Sequence, residues 1–169
     1  MPNPMSKLPL RREDLTAGAT GAAAGLAASV VQTGVGFAID RVLLPPGHDN
    51  NIAPRLVDRL GRRVGHHTPS AFEWAAGAAF HFGYGLGWGA LFGVVRSRVR
   101  APGLLLGGVL GGILYLVAFS RAGFGTRTGT EAPPDQRPWQ KQVSLVSVAM
   151  TYALALALLF DRLPALPRR

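Results

Sequence analysis

Four long stretches of the chain carry no charged residue: Thr16 to Ile39, Trp74 to Val95, Pro102 to Ser120 and Gln142 to Phe160. A bilayer core about 30 Å thick takes roughly 20 apolar residues of helix, and each stretch is close to that length. The pattern predicts transmembrane helices at about 16–39, 71–95, 103–120 and 142–160. The expected fold is therefore all-α, an integral membrane four-helix bundle forming a single membrane domain over residues 1–169. The first stretch exceeds the h-region of a signal peptide, which runs about 7 to 15 residues, and reads as a retained anchor.

Between the first two spans the period changes. Ile52, Leu56, Leu60 and Val64 recur every fourth residue, with Arg55, Arg59, Arg62 and Arg63 on other faces. That spacing predicts a short amphipathic helix at about 52–64, lying on the membrane surface against lipid headgroups or packed on the protein itself. Pro69 followed by Ser70 and Glu73 predicts that the second span opens with a capping box.

Small residues form seams within the spans. Gly21, Gly25, Gln32 and Gly36 share a face of the first, Gly77, Gly85 and Gly89 a face of the second, and Gly103, Gly107 and Gly111 a face of the third. In lipid such seams let helices approach closely, and the short turn between the second and third spans suggests that these two form a tight hairpin. The segment after Arg121, rich in Gly, Thr and Pro, shows no apolar period and reads as a loop. Trp139 then sits at an interface, and the Leu-rich body of the fourth span, with Ser144, Ser147 and Thr151 as a polar stripe, suits contact with lipid.

Composition adds limits. The net charge is +9 and there is no cysteine, so disulfides, thiolate metal sites and a cysteine nucleophile are excluded. The arginines flank apolar spans, where they set orientation and meet anionic lipid, which argues for a membrane rather than a nucleic acid as partner. Lys and Arg divide evenly between the two sides. The dense Arg96–Arg100 turn favours a cytoplasmic location for that turn and for both termini.

One residue carries most of the candidate chemistry. His81 lies near the bilayer midplane, where an ionisable group is costly and therefore a functional candidate. Three readings stand open. His81 can serve a proton relay with Glu73, Tyr84 and Gln32. It can ligate a haem or chlorophyll-type pigment, with Gly77 four residues earlier leaving room for the macrocycle. Or it is a neutral imidazole bonded to a neighbouring helix through Gln32, Ser147 or Thr151. His66 and His67 lack a third ligand at metal-binding spacing, so no metal site is expected. No nucleophile elbow, P-loop, HExxH or dinucleotide fingerprint is present, and Gly83–Gly89 lies inside an apolar span rather than in a phosphate loop. The chain is expected not to be an enzyme and to hold no cofactor beyond the pigment considered at His81.

The Gly21, Ala24, Gly25 opening, the Pro45–Pro46 pair and the later His81, Phe82, Gly83, Tyr84, Gly85 run resemble the YagU-type family of uncharacterised bacterial inner-membrane proteins. The likeness covers the first two spans, with Gly47 departing from the basic residue expected after the Pro pair. It implies a bacterial inner-membrane location and a link to acid tolerance. From the glycine seams, the expected function is helix packing, as an accessory or structural subunit of a larger membrane complex or as a homo-oligomer. The alternatives are proton or small-solute transport through His81 and pigment binding.

Overall fold

A computed structural model describes residues 11–45, 52–65 and 69–163. The helices are α1 (Arg12–Leu43), α2 (Ile52–Arg63), α3 (Ser70–Arg98), α4 (Gly103–Phe119), α5 (Phe124–Arg127) and α6 (Trp139–Arg162), with a 3-10 turn at Pro134–Gln136. Four segments are long and apolar enough to cross a bilayer: Arg12–Leu43, Ser70–Arg98, Gly103–Arg127 and Trp139–Arg162. The chain is an all-α, multi-pass membrane protein. Many large apolar side chains, Leu26, Val30, Leu86, Leu105 and Leu116 among them, point outward, as an apolar solvent permits.

Helix starts differ from the expected pattern. Ser70 is already the first residue of α3; Pro69 occupies the cap, its carbonyl accepts from the Phe72 and Glu73 amides, and no side chain caps the helix. Proline fixes φ near the value needed there, so a hydroxyl cap is dispensable. At the start of α1, by contrast, the Asp14 carboxylate accepts the Arg11 N–H at 2.9 Å.

Helix pairing also departs from the expected order. α3 and α4, adjacent in sequence, do not form the tight hairpin; α3 packs along α1, and α4 packs along α6, which also packs on α1. The glycines account for this. A Cβ on Gly25 would lie 2.9 Å from the Gly89 Cα, and one on Gly21, Gly89 or Gly93 would collide with backbone across the α1–α3 interface. On α4, a Cβ on Gly107 would lie 2.9 Å from the Ala153 carbonyl oxygen, and those on Gly103 and Gly111 would meet Asp161 and Met150. The shallow surface that receives α4 is provided by Ala153 and Ala157 of α6.

α6 is consequently central rather than built mainly for lipid. Ser144, Leu145, Ala149, Tyr152, Ala153, Leu156 and Ala157 are buried, while Val143, Val146 and Leu158 face outward. Gly36 packs beside Val148 of α6.

The ends of the bundle are tied by ionic contacts. Asp14, 2% exposed, takes Arg98 Nη2 at 2.7 Å, Arg98 Nε at 3.1 Å and the Ser97 hydroxyl at 2.9 Å. On the same side Arg96 meets Asp161 at 3.5 Å. On the opposite side the loop between α5 and α6 folds around Arg137. This residue, 8% exposed, donates to the carbonyls of Ala132 (2.6 Å) and Phe119 (3.0 Å) and to the Thr126 hydroxyl (3.1 Å).

Candidate functional site

The close crossing of α1 and α3 does not extend along their whole length. It runs from Ala17 to Ser29 on α1 and from Gly85 to Gly93 on α3. Toward the start of α3 the helices part: at Gly77 the nearest neighbour is no longer α1 but the backbone of Ala53 and Pro54 in α2, with Pro54 N 2.7 Å from a Cβ built there. The space so opened is a cleft of about 270 Å³, with walls from α1, α3, α4 and α6 and with α2 and α5 at its edge.

The lining is mainly apolar and aromatic. Phe37, Trp74, Phe80, Tyr84, Phe119 and Phe124 contribute rings. Tyr84 stacks on Phe80 at 5.8 Å between centroids, and Phe124 meets both rings edge-on at 6.2 and 6.0 Å. Polar groups are few: Gln32, Thr33, Asp40, His81 and the tyrosines. A predominantly apolar cavity with a few convergent polar groups is the usual form of a small-molecule site.

His81 sits where the helices begin to part. Its Nε2 lies 3.1 Å from the Thr33 hydroxyl, which itself lies 2.8 Å from the Ser29 carbonyl. A hydroxyl has one proton. With Thr33 donating to Ser29, Nε2–H of His81 donates to Thr33, leaving the neutral imidazole with Nδ1 as an acceptor. The expected partners Gln32, Ser147 and Thr151 are thus replaced by Thr33, one position from Gln32. The Gln32 amide donates instead to the Val148 carbonyl at 3.3 Å.

Of the other candidates, Gln32 and Tyr84 line the same cleft and Glu73 does not. The Tyr84 hydroxyl is out of water without a partner of hydrogen-bond geometry. Glu73 lies in the first turn of α3, within electrostatic reach of Arg62. The room for a macrocycle expected at Gly77 is filled by α2, so the residues present do not fit an axial pigment on that face. His66 and His67 lie outside the described residues.

The arginines of α2 turn toward protein. Arg55 meets Glu131 at 3.4 Å, Arg59 lies beside Gly129, and Arg63 donates to the carbonyls of Arg127 and Thr128 at 3.5 and 3.4 Å. Arg62 pairs with Asp58 one turn back, at 2.8 Å, which raises the guanidinium pKa further. Leu56 is buried and α2 packs on α3. Trp139, at the start of α6, is largely exposed.

Two acidic residues, one in the cleft lining and one outside it, were not among the candidates read from the sequence. Asp40, the first charged residue after the Thr16–Ile39 stretch, lines the cleft and accepts the Ser144 hydroxyl at 2.8 Å. Glu131, its side chain 5% exposed, holds Arg55 and also Lys141 at 3.5 Å. Comparison with protein families, curated proteins and solved structures finds no match, so function is read from this geometry.

Proposed function

We propose that the protein is a membrane transport protein for a small, largely apolar solute, held in the cleft with its polar end at His81. The observation that carries this reading is the cleft itself. Close packing at one end of α1 and α3 and separation at the other leave an aromatic chamber with an imidazole acceptor at its floor. Proton relay has less support, because the line from His81 through Thr33 ends on the Ser29 carbonyl, which holds no proton to pass on.

Benzyl alcohol, a ring with one hydroxyl, is a suitable probe for purified protein in mild detergent. Saturable binding is expected, weakened at least fivefold by His81→Phe and by Thr33→Val and unchanged by Gly83→Leu on the open face. Simple partition, equal in all four proteins, would rule the site out.

A second reading rests on a separate observation. Gly83, Gly87, Gly108 and Gly112 meet nothing within 4 Å, so α3 and α4 each keep a small-residue face free for another helix, from a second copy or from the subunits of a larger complex. Native mass measurement distinguishes these: a strictly monomeric particle without a co-purifying partner would remove this reading. The bacterial cytoplasmic membrane, with the α3–α4 turn inside, is the location we infer. It is supported by the short, dense Arg96, Arg98, Arg100 turn and by the YagU-type resemblance.

A further inference from the structure

We propose that the cleft selects neutral aromatic solutes that end in a hydrogen-bond donor, alcohols and phenols, over acceptor-only molecules such as ketones and ethers. The solute O–H donates to Nδ1 of His81. This names the solute class for the cleft and rests on the reading of it as a binding site.

The choice is set by where the imidazole proton sits. A carbonyl oxygen can only accept, and the Ser29 carbonyl takes the Thr33 hydroxyl proton at 2.8 Å. The Thr33 oxygen is left with lone pairs facing Nε2 at 3.1 Å, and the Ser29 carbonyl itself reaches the ring. Both neighbours require a donor, so the proton is on Nε2. A neutral imidazole has one such proton, and Nδ1 therefore carries a lone pair. His81 lines the cleft, and no donor among the described residues reaches Nδ1.

The rest of the lining does not offset this preference. Gln32 gives one amide hydrogen to the Val148 carbonyl at 3.3 Å and keeps its oxygen and its second hydrogen, so it serves donors and acceptors alike. Tyr152 donates to the Gly85 carbonyl, and the Tyr84 hydroxyl is out of water. Asp40, as a carboxylate, can only accept and already takes the Ser144 hydroxyl. The Trp74 indole is an exposed donor, but it lies seven residues before His81, about 10 Å away along α3. A ketone at His81 sets lone pair against lone pair and leaves Nδ1 unpaired, whereas an alcohol pairs it. An anion finds no counter-charge, since no lysine or arginine lines the cleft.

The test compares 1-phenylethanol with acetophenone, which share one carbon skeleton and differ in carrying a hydroxyl or a carbonyl oxygen. Binding to the full-length protein in mild detergent is read by titration calorimetry against protein-free micelles. The alcohol should bind at least fivefold more tightly than the ketone. His81→Phe should erase the difference, and Thr33→Val should narrow it, because the ring is then freed to carry its proton on Nδ1. The comparison of the two probes on the unaltered protein decides the matter even where a variant fails to fold. Saturable binding of the ketone as tight as that of the alcohol would overturn donor selection and leave the cleft as a site for apolar solutes of either kind. Absence of saturable binding by both probes would overturn the site itself.

Discussion

Gly25 of α1 and Gly89 of α3 approach so closely that a Cβ on either would come within 2.9 Å of the other's Cα. This contact sets the geometry of everything beyond it. Backbones held together here separate toward His81, and the cleft is the result.

Gly89→Leu should therefore cost about 1–3 kcal/mol of stability, the usual range for overpacking, as read by SDS-induced unfolding in mixed micelles. Gly87→Leu, two positions along on the open face of the same helix, should change little. Equal losses from the two substitutions would mean that α1 and α3 do not cross at Gly25 and Gly89.

The Asp14–Arg98 pair closes the opposite end of this crossing. Its carboxylate is buried and takes two guanidinium bonds, the Ser97 hydroxyl and the Arg11 amide. Asp14→Asn and Arg98→Ala should each lower the unfolding midpoint, and the double variant should lose less than the two losses combined, since removing one partner already breaks the bonds. Arg100→Ala should have no effect. Strict additivity would show that the two side chains are not coupled.

α2 is held by the contact of Pro54 with Gly77 and by its arginines on the end of α5 and the loop after it. Gly77→Leu should push it away. Hydrogen exchange followed by mass spectrometry should then show faster exchange over residues 52–63, with the Gly21–Ser29 amides unchanged. No change over α2 would contradict its docking on α3.

Arg137 organises the loop before α6 through three oxygens. Arg137→Ala leaves buried carbonyls without a donor and should cost about 1–3 kcal/mol, with faster exchange in residues 123–136. A loop that exchanges at the same rate in both proteins would show that Arg137 does not hold it.

How far the sequence reveals this arrangement depends on the range of the interaction concerned. The spans are legible because insertion in a bilayer is a property of each segment alone, and charge-free windows mark α1, α3, α4 and α6 directly. Which spans pair is not a local property. The short turn between α3 and α4 points to a pairing of their glycines, whereas the complement of the α4 glycines is Ala153 and Ala157 of α6, a four-residue spacing present in the sequence but masked by the surrounding leucines. The arginines of α2 carry the period of a lipid-facing helix, yet Arg55, Arg59 and Arg63 meet a loop some 70 residues later. Nothing in their spacing distinguishes a carbonyl from a headgroup.

At the site, His81 stood out because an imidazole is rare at that depth. Thr33 did not, since a lone threonine in a membrane helix usually bonds its own backbone, as Thr33 also does to Ser29. Asp40 marked the end of a span by its charge, and its place in the cleft follows from where α1 stops running beside α3.

The cleft as a binding chamber is tested most directly through Trp74, which lines it. With Trp88 and Trp139 replaced by phenylalanine, Trp74 is the one remaining tryptophan of three, and its fluorescence can be titrated with bromobenzene as a quenching probe in mild detergent. Saturable quenching, lost when Ala149→Phe fills the cleft, is the expected result. Quenching that rises linearly, at the rate shown by a control protein keeping only the exposed Trp139, would contradict a chamber at His81.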